Sequence, residues 1–208
     1  MYIVALLVII TILIVCTCTR SVPPVVQETL LRVFLRSECM VVSRVDGLPY
    51  KVREDFRNKQ EASNILGEIN RMYVRIIKHL KKTKMNTKWA NDISFLASNY
   101  NPDVLGEHIP WNTNYTSYVR DKGRIIRLCL RTQKNRKKFH DMTTLKFVAI
   151  HELSHMMTRS YGHEDEFWEA FSFILKEANR IGEIDLIRYS RTPAPYCGIL
   201  ITSNPAFD

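Results

Sequence analysis

Residues His151, Glu152, Leu153, Ser154 and His155 constrain this chain more than any other stretch. Two histidines four positions apart lie on one face of a helix, so both imidazoles can turn toward a single ion. The segment must then be helical, and that face must meet a partner. Glu152 follows the first histidine on nearly the same side, where it can take a proton from a water held at the metal. His163, eight residues after His155, is in reach as a third ligand. Three protein ligands plus a water form the open arrangement of a catalytic zinc, whereas a structural zinc closes with a fourth side chain. The bland alternative is a surface helix whose histidines fall four apart by chance.

The flanking residues favour the metal reading. Asp141, Thr143 and Thr144 offer N-cap oxygens ahead of the motif. Leu145, Phe147, Val148, Ile150, Leu153 and Met157 surround it with apolar bulk, which predicts a largely buried helix over about residues 143–158. A buried helix carrying two histidines and a glutamate needs partners for them, and a metal supplies one. Gly162 suits a left-handed C′ position that turns the chain just before His163. A second helix follows, with Glu164, Asp165 and Glu166 in its first turn and an apolar stripe of Phe167, Trp168, Phe171, Ile174, Leu175 and Ala178. His163 as a capping or solvent-facing residue is the competing reading, and Glu164, Glu166, Glu169 and Glu177 are rival third ligands. The spacing is longer than the H-E-x-x-H-x-x-G-x-x-H of metzincins, which excludes that family.

The motif, a short gap, and then Gly162, His163, Phe167 and Trp168 resemble the minimal zincin domains called WLM and SprT-like. The interval from His155 to His163 is longer than in WLM. The resemblance implies zinc on His151, His155 and His163, with Glu152 as general base. Residues 189–198 (YSRTPAPYCG) are also similar to uncharacterised membrane-anchored proteins of large nucleocytoplasmic DNA viruses. These likenesses run over about residues 113–205.

Residues 1–19 carry no charge and are dominated by Ile, Val and Leu. They match the roughly 17–25 residues of a membrane-spanning helix, with a cleaved signal peptide as the alternative. Arg20, Arg32 and Arg36 follow the segment and no base precedes it, which predicts a single-pass protein with its catalytic domain on the cytosolic side. For a viral protein that setting extends to the inner membrane of the virion. The sequon at Asn114 tests the orientation. Cys16 and Cys18 lie in the anchor. Cys39, Cys129 and Cys197 form no C-x-x-C pair and predict no disulfide framework. Cys129 reads as core, and Cys197 as a fourth ligand would make the zinc structural.

The expected fold class is α+β: an N-terminal transmembrane helix, then a minimal zincin-like domain with a small antiparallel sheet or hairpin packed on several helices. The anchor covers 1–19, a Pro-containing spacer 20–26, and the domain 27–208, divided into a helical part (27–112) and a catalytic core (113–208). Phe56, Ala62, Ile65, Leu66, Ile69, Met72, Ile76 and Leu80 recur at helical spacing and predict a long amphipathic helix over residues 53–82. A short helix is expected over 88–98 and a loop over 99–114. Residues 115–119 and 124–131 predict a hairpin turned at Asp121, Lys122 and Gly123.

The net charge of +9 is concentrated: residues 120–138 hold nine bases and one acid. Such a stretch suits an acidic protein, nucleic acid or anionic lipid, or is simply a solvated loop. Taken together, the expected function is a membrane-anchored zinc metallopeptidase acting on protein or peptide. Tyr161, Tyr189 and Tyr196 are candidate oxyanion donors. The alternatives are a catalytically silent zincin-fold piece of a viral membrane or capsid assembly, partnered by capsid or membrane proteins, and a basic, anchored binding module.

Overall fold

The computed structural model describes residues 38–108, 116–133 and 135–207. The expected anchor at 1–19, the spacer at 20–26, Asn114 and Lys134 lie outside the described residues. Among the described residues no helix is long and apolar enough to cross a membrane.

Five short strands make one sheet. They are β1 (Glu38–Val42), β2 (Pro49–Arg53), β3 (Leu105–Glu107), β4 (Tyr118–Arg120) and β5 (Ile125–Leu128), in spatial order β1-β2-β3-β5-β4. Helices α1 (Lys59–Thr83), α2 (Ala90–Asn99), α3 (Met142–Met157) and α4 (Asp165–Arg180) pack with the sheet, and a separate hairpin is formed by β6 (Ala194–Tyr196) and β7 (Ile199–Ile201). The class is α+β, as the sequence implies. The sheet is mixed rather than antiparallel: β1–β2 and β4–β5 run antiparallel, β2–β3 and β3–β5 parallel. The physical reason is the crossover through α1 and α2, which returns the chain to β3 on a parallel course; parallel neighbours need such a long connection. The portion read as helical therefore also contributes three strands, and β3 lies inside the stretch expected as loop.

The predicted stripe of α1 is the observed one. Leu66, Ile69, Met72, Ile76 and Leu80 are fully buried, and each such side chain stabilises by about 1.5–3 kcal/mol relative to exposure. Gly67 is required where α1 meets the β1–β2 turn, because a Cβ there would lie 2.2 Å from Ser43 Oγ. From the opposite side, Tyr73 of α1 donates its hydroxyl to the Ala149 carbonyl of α3 at 2.6 Å. This bond fixes the motif helix against the core.

Two corrections bear on the site. Cys129, just after β5, and Cys197, in the β6–β7 turn, are joined in a disulfide across 68 residues. The sequence predicted none, because only the tertiary return of the hairpin under the end of β5 brings them together. Cys197 is consequently not a fourth ligand at the histidine motif, and Cys39 remains a half-buried free thiol. The basic stretch is also divided. Arg131 is buried and donates through Nε to the equally buried Glu107 at 2.6 Å, and Arg127 lies 3.5 Å from Glu38. Arg120, Arg124, Arg136, Lys137 and Lys138 are the exposed members.

Candidate metal centre

Asp141 is the N-cap of α3: its carboxylate accepts from the Thr144 backbone N–H at 2.8 Å and from the Thr144 hydroxyl at 2.7 Å. From that start, positions 151 and 155 fall on one face two turns on. The helix is buried around most of its surface, with Leu145, Ala149, Ile150, Leu153 and Met156 in the core. Ser154 returns its hydroxyl to the Ile150 carbonyl, so the motif carries no unpaired hydroxyl into the core.

Gly162 takes φ +92°, the left-handed turn expected of it, and sends His163 back over α3. The three imidazoles converge. Ring centroids are 4.9 Å apart for His151 and His155, 5.0 Å for His151 and His163, and 4.8 Å for His155 and His163. The Nε2 atoms of His151 and His163 approach to 3.0 Å. The fully buried Phe167 of α4 touches all three rings, at 4.8, 4.2 and 4.7 Å, and so sets their common orientation.

Electrostatics keep the three rings in ligand form. Burial, then the neighbouring His155 and His163, lowers His151 to about 3. Burial, then His163 and Lys122, lowers His155 to about 4. Burial also lowers His163. Neutral imidazoles with free nitrogens turned toward one another are the donor set zinc takes. Glu152, buried beside them, is pushed up to about 8 by desolvation.

The loop that carries His163 is tied from two sides. Lys122 Nζ donates to the His155 carbonyl at 3.3 Å and to the Ser160 carbonyl, and it stands over the Tyr161 ring at 4.7 Å. The Glu166 carboxylate accepts from the Arg159 and Ser160 backbone N–H groups, both at 3.2 Å. Asp121 and Lys122 both have positive φ, 49° and 51°, conformations that cost non-glycine residues energy and persist where the surroundings enforce them. The sequence identified Lys122 only as a turn residue, and nothing in its spacing reveals the reach across to α3.

Three of the four rival carboxylates are otherwise occupied. Glu166 holds the loop. Glu169 pairs with Lys88 at 2.6 Å. Glu177 meets His79 at 2.8 Å and Lys84 at 2.9 Å. Glu164 is the N-cap position of α4, exposed and without a side-chain capping hydrogen bond.

A cleft of about 700 Å³ opens above the triad. His151, Glu152, His155 and His163 line it, with Tyr118 and Val119 of β4 on one side and Tyr196, Ile199 and Leu200 of the β6–β7 hairpin on another. β4 is the end strand of the sheet, and among the described residues no strand pairs with its outer edge. Of the three tyrosines singled out from the sequence, Tyr196 and Tyr161 line the cleft. The Tyr196 hydroxyl shares a 2.6 Å hydrogen bond with Ser117 Oγ. Tyr189 packs on Phe147 and is outside the cleft.

Comparison with known proteins returns a consistent family. The WLM domain model matches residues 47–186. An uncharacterised protein of Acanthamoeba polyphaga mimivirus is 31% identical over 150 residues, 71% of this chain and 75% of that protein. An uncharacterised protein of Invertebrate iridescent virus 3 is 45% identical over 51 residues, 24% of this chain and 31% of that relative. Among solved structures, Wss1 from Saccharomyces cerevisiae is similar at a TM-score of 0.48 and 20% identity, covering 64% of this chain and 88% of its own; a Wss1 mutant gives the same TM-score at 19% identity.

Proposed function

The chain belongs to the WLM domain family, and we propose that it is a zinc-dependent metallopeptidase in which His151, His155 and His163 hold the metal and Glu152 is the general base. The observation that carries this reading is the convergence of three neutral imidazoles beside one buried carboxylate on the wall of an open cleft. Bound zinc supplies Lewis acidity, bringing the pKa of water to about 7 and polarising the scissile carbonyl.

The chain's own residues perform the remaining steps. Burial lifts Glu152 from its ordinary 4.5 to about 8 in the metal-free protein, which makes its carboxylate a stronger base than an exposed one, and a cation on the three imidazoles would favour the ionised form that accepts a proton. That suits a group which takes a proton from the attacking water and returns it to the leaving amine. Phe167 and the loop tied by Lys122 and Glu166 hold the imidazoles in place, so little reorganisation is needed at the reacting centre. An extended peptide adds to the free edge of β4 by backbone hydrogen bonds and passes over the triad. Tyr196 and Tyr161 are the side chains available to an oxyanion in the cleft. Replacing the serving tyrosine by Phe costs about 10²–10³ in kcat, and replacing the other leaves kcat near the wild-type value.

Glu152→Gln tests the core of the reading. The variant keeps the zinc content of the wild type, and cleavage of a casein-type substrate falls by about 10²–10⁴. Cleavage surviving at the wild-type rate removes Glu152 from the mechanism.

A membrane tether is part of the same proposal. Its support is the uncharged apolar run over residues 1–19 and the bases that follow it. Glycan on Asn114 in an expressing cell overturns the cytosolic orientation. The exposed bases fall in two places, Arg120 and Arg124 at the β4–β5 turn and Arg136, Lys137 and Lys138 in the loop after β5, and each is available to anionic lipid, nucleic acid or an acidic protein. Binding that weakens with salt and with neutralisation of Arg136, Lys137 and Lys138 tests the second. A virion membrane setting, with capsid or membrane proteins as partners, extends the same proposal; absence of the chain from purified virions overturns it.

A further inference from the structure

We propose that Cys129, His140 and Cys197 form a second zinc site, filled when the Cys129–Cys197 disulfide is reduced. Their ligand atoms all lie within 4.8 Å of one another. They come from three separate segments: the end of β5, the residue before the N-cap of α3, and the β6–β7 turn. Cys197 Sγ lies 3.4 Å from His140 Nε2, and the Cys197 backbone N–H points at the same nitrogen, also at 3.4 Å.

The imidazole is set against the sulfurs by the Cys197 backbone N–H and by packing on the Tyr196 ring, whose centroid lies 4.9 Å away. With the disulfide reduced, two thiolates and a neutral imidazole are three ligands of a tetrahedral zinc whose fourth position is water. The Cα separation of the two cysteines is 6.4 Å. Zinc–sulfur bonds of about 2.3 Å require the two sulfurs to part to roughly 3.7 Å, a movement that side-chain rotation provides. Cys197 and Gly198 both have positive φ, 43° and 90°, as a two-residue hairpin turn requires, and the turn thereby presents Cys197 to the other two side chains.

The redox step balances with a thiol or phosphine reductant. A dithiol gives up two hydrogens and becomes a disulfide, or a phosphine takes the oxygen of one water to become a phosphine oxide while that water's two hydrogens go to the sulfurs; in either case the Cys129–Cys197 bond breaks to two thiols. Zinc then replaces the two thiol protons, which go to solvent. Either the disulfide or the metal pins the β6–β7 hairpin, which is one wall of the cleft, to the sheet and to the start of the motif helix.

The test uses the full chain, reduced with a water-soluble phosphine and loaded with zinc or cobalt. Reduced wild type is expected to hold one more equivalent of metal than the oxidised protein. With cobalt it shows the near-ultraviolet thiolate-to-metal charge-transfer absorption that an all-histidine site cannot give. Cys197→Ser and His140→Gln are each expected to lose that equivalent, and Cys197→Ser to lose or halve the absorption. His140→Gln can still form the disulfide, so its oxidised form serves as the folded control if Cys197→Ser fails to fold. A double variant, His151→Ala with His155→Ala, keeps the thiolate absorption, which separates this site from the peptidase reading. Equal metal content in reduced and oxidised wild type overturns the proposal, as does absence of the absorption or its persistence at full strength in Cys197→Ser.

Discussion

Among the described residues two clusters of side chains could hold a metal ion, and they differ in almost every physical respect. His151, His155 and His163 come from thirteen consecutive positions that include one turn, face a cleft, and have a buried carboxylate next to them. Cys129, His140 and Cys197 are drawn from across 68 residues, two of the three are buried, and no acid joins the set. The first arrangement leaves room for a substrate and supplies a proton acceptor. The second closes three chain segments on one another. Ligand type alone therefore does not separate a reactive centre from a staple; the neighbours and the exposure do.

Removing Phe167 gives the largest expected separation of the two. The ring is buried and touches all three histidines of the triad. Phe167→Ala is expected to cost about 3–5 kcal/mol of stability, the range for a fully buried aromatic, measured by denaturant unfolding. Zinc affinity at the triad should fall with it, while the Cys129–Cys197 disulfide still forms under oxidising conditions. A variant that keeps wild-type zinc affinity shows that α3 and the loop orient the histidines without help from α4.

The same contrast explains what could be read from the sequence. His151, Glu152, His155, Gly162 and His163 are legible because helical periodicity and a glycine turn act over a few residues. The stripes of α1 and α4 are legible for the same reason, although Trp168, counted into the stripe, is substantially exposed. β3 was not legible: Leu105, Gly106 and Glu107 are all buried, so there is no polar–apolar alternation to see, and the glutamate is matched by Arg131 from a distant segment. The disulfide, the burial of Arg131 and the reach of Lys122 are likewise products of tertiary return, which no local pattern encodes.

Acid sharpens the comparison, since the first cluster carries three lowered imidazoles and the second only His140. In the unfolded chain an imidazole titrates near 6.5, whereas folded His151 and His155 are held at about 3 and about 4. The unfolded state therefore binds protons that the folded state refuses. The stability associated with these two rings is present in full above about pH 6.5 and is lost as pH falls through 4 toward 3. Glu152 has the opposite sign in the metal-free protein. Its folded value of about 8 lies above the ordinary 4.5, so its contribution is full below pH 4.5 and lost as pH rises through 8. Thermal unfolding of metal-free protein from about pH 3 to 9 should show both limbs. Glu152→Gln should flatten only the alkaline one, and an unchanged alkaline limb refutes the assignment of its pKa to burial. The disulfide-bonded cysteines of the other cluster do not titrate.

The smallest expected effect is at Lys122, and it asks how far the triad depends on residues outside its own segment. Its ammonium bonds the carbonyls of His155 and Ser160, so one side chain bridges the end of α3 and the loop that leads to His163. Lys122→Met keeps the length and apolar stem but removes the donors. The His163 loop then keeps only the Glu166 carboxylate as its tie on that side. Zinc affinity is expected to fall by about 10-fold, at the low end of what loss of a ligand-orienting partner costs, or about 1.4 kcal/mol. The loss should be absent in a His163→Ala background, where there is no third imidazole to position. An additive loss in the double variant places the lysine's effect on α3 itself rather than on the loop.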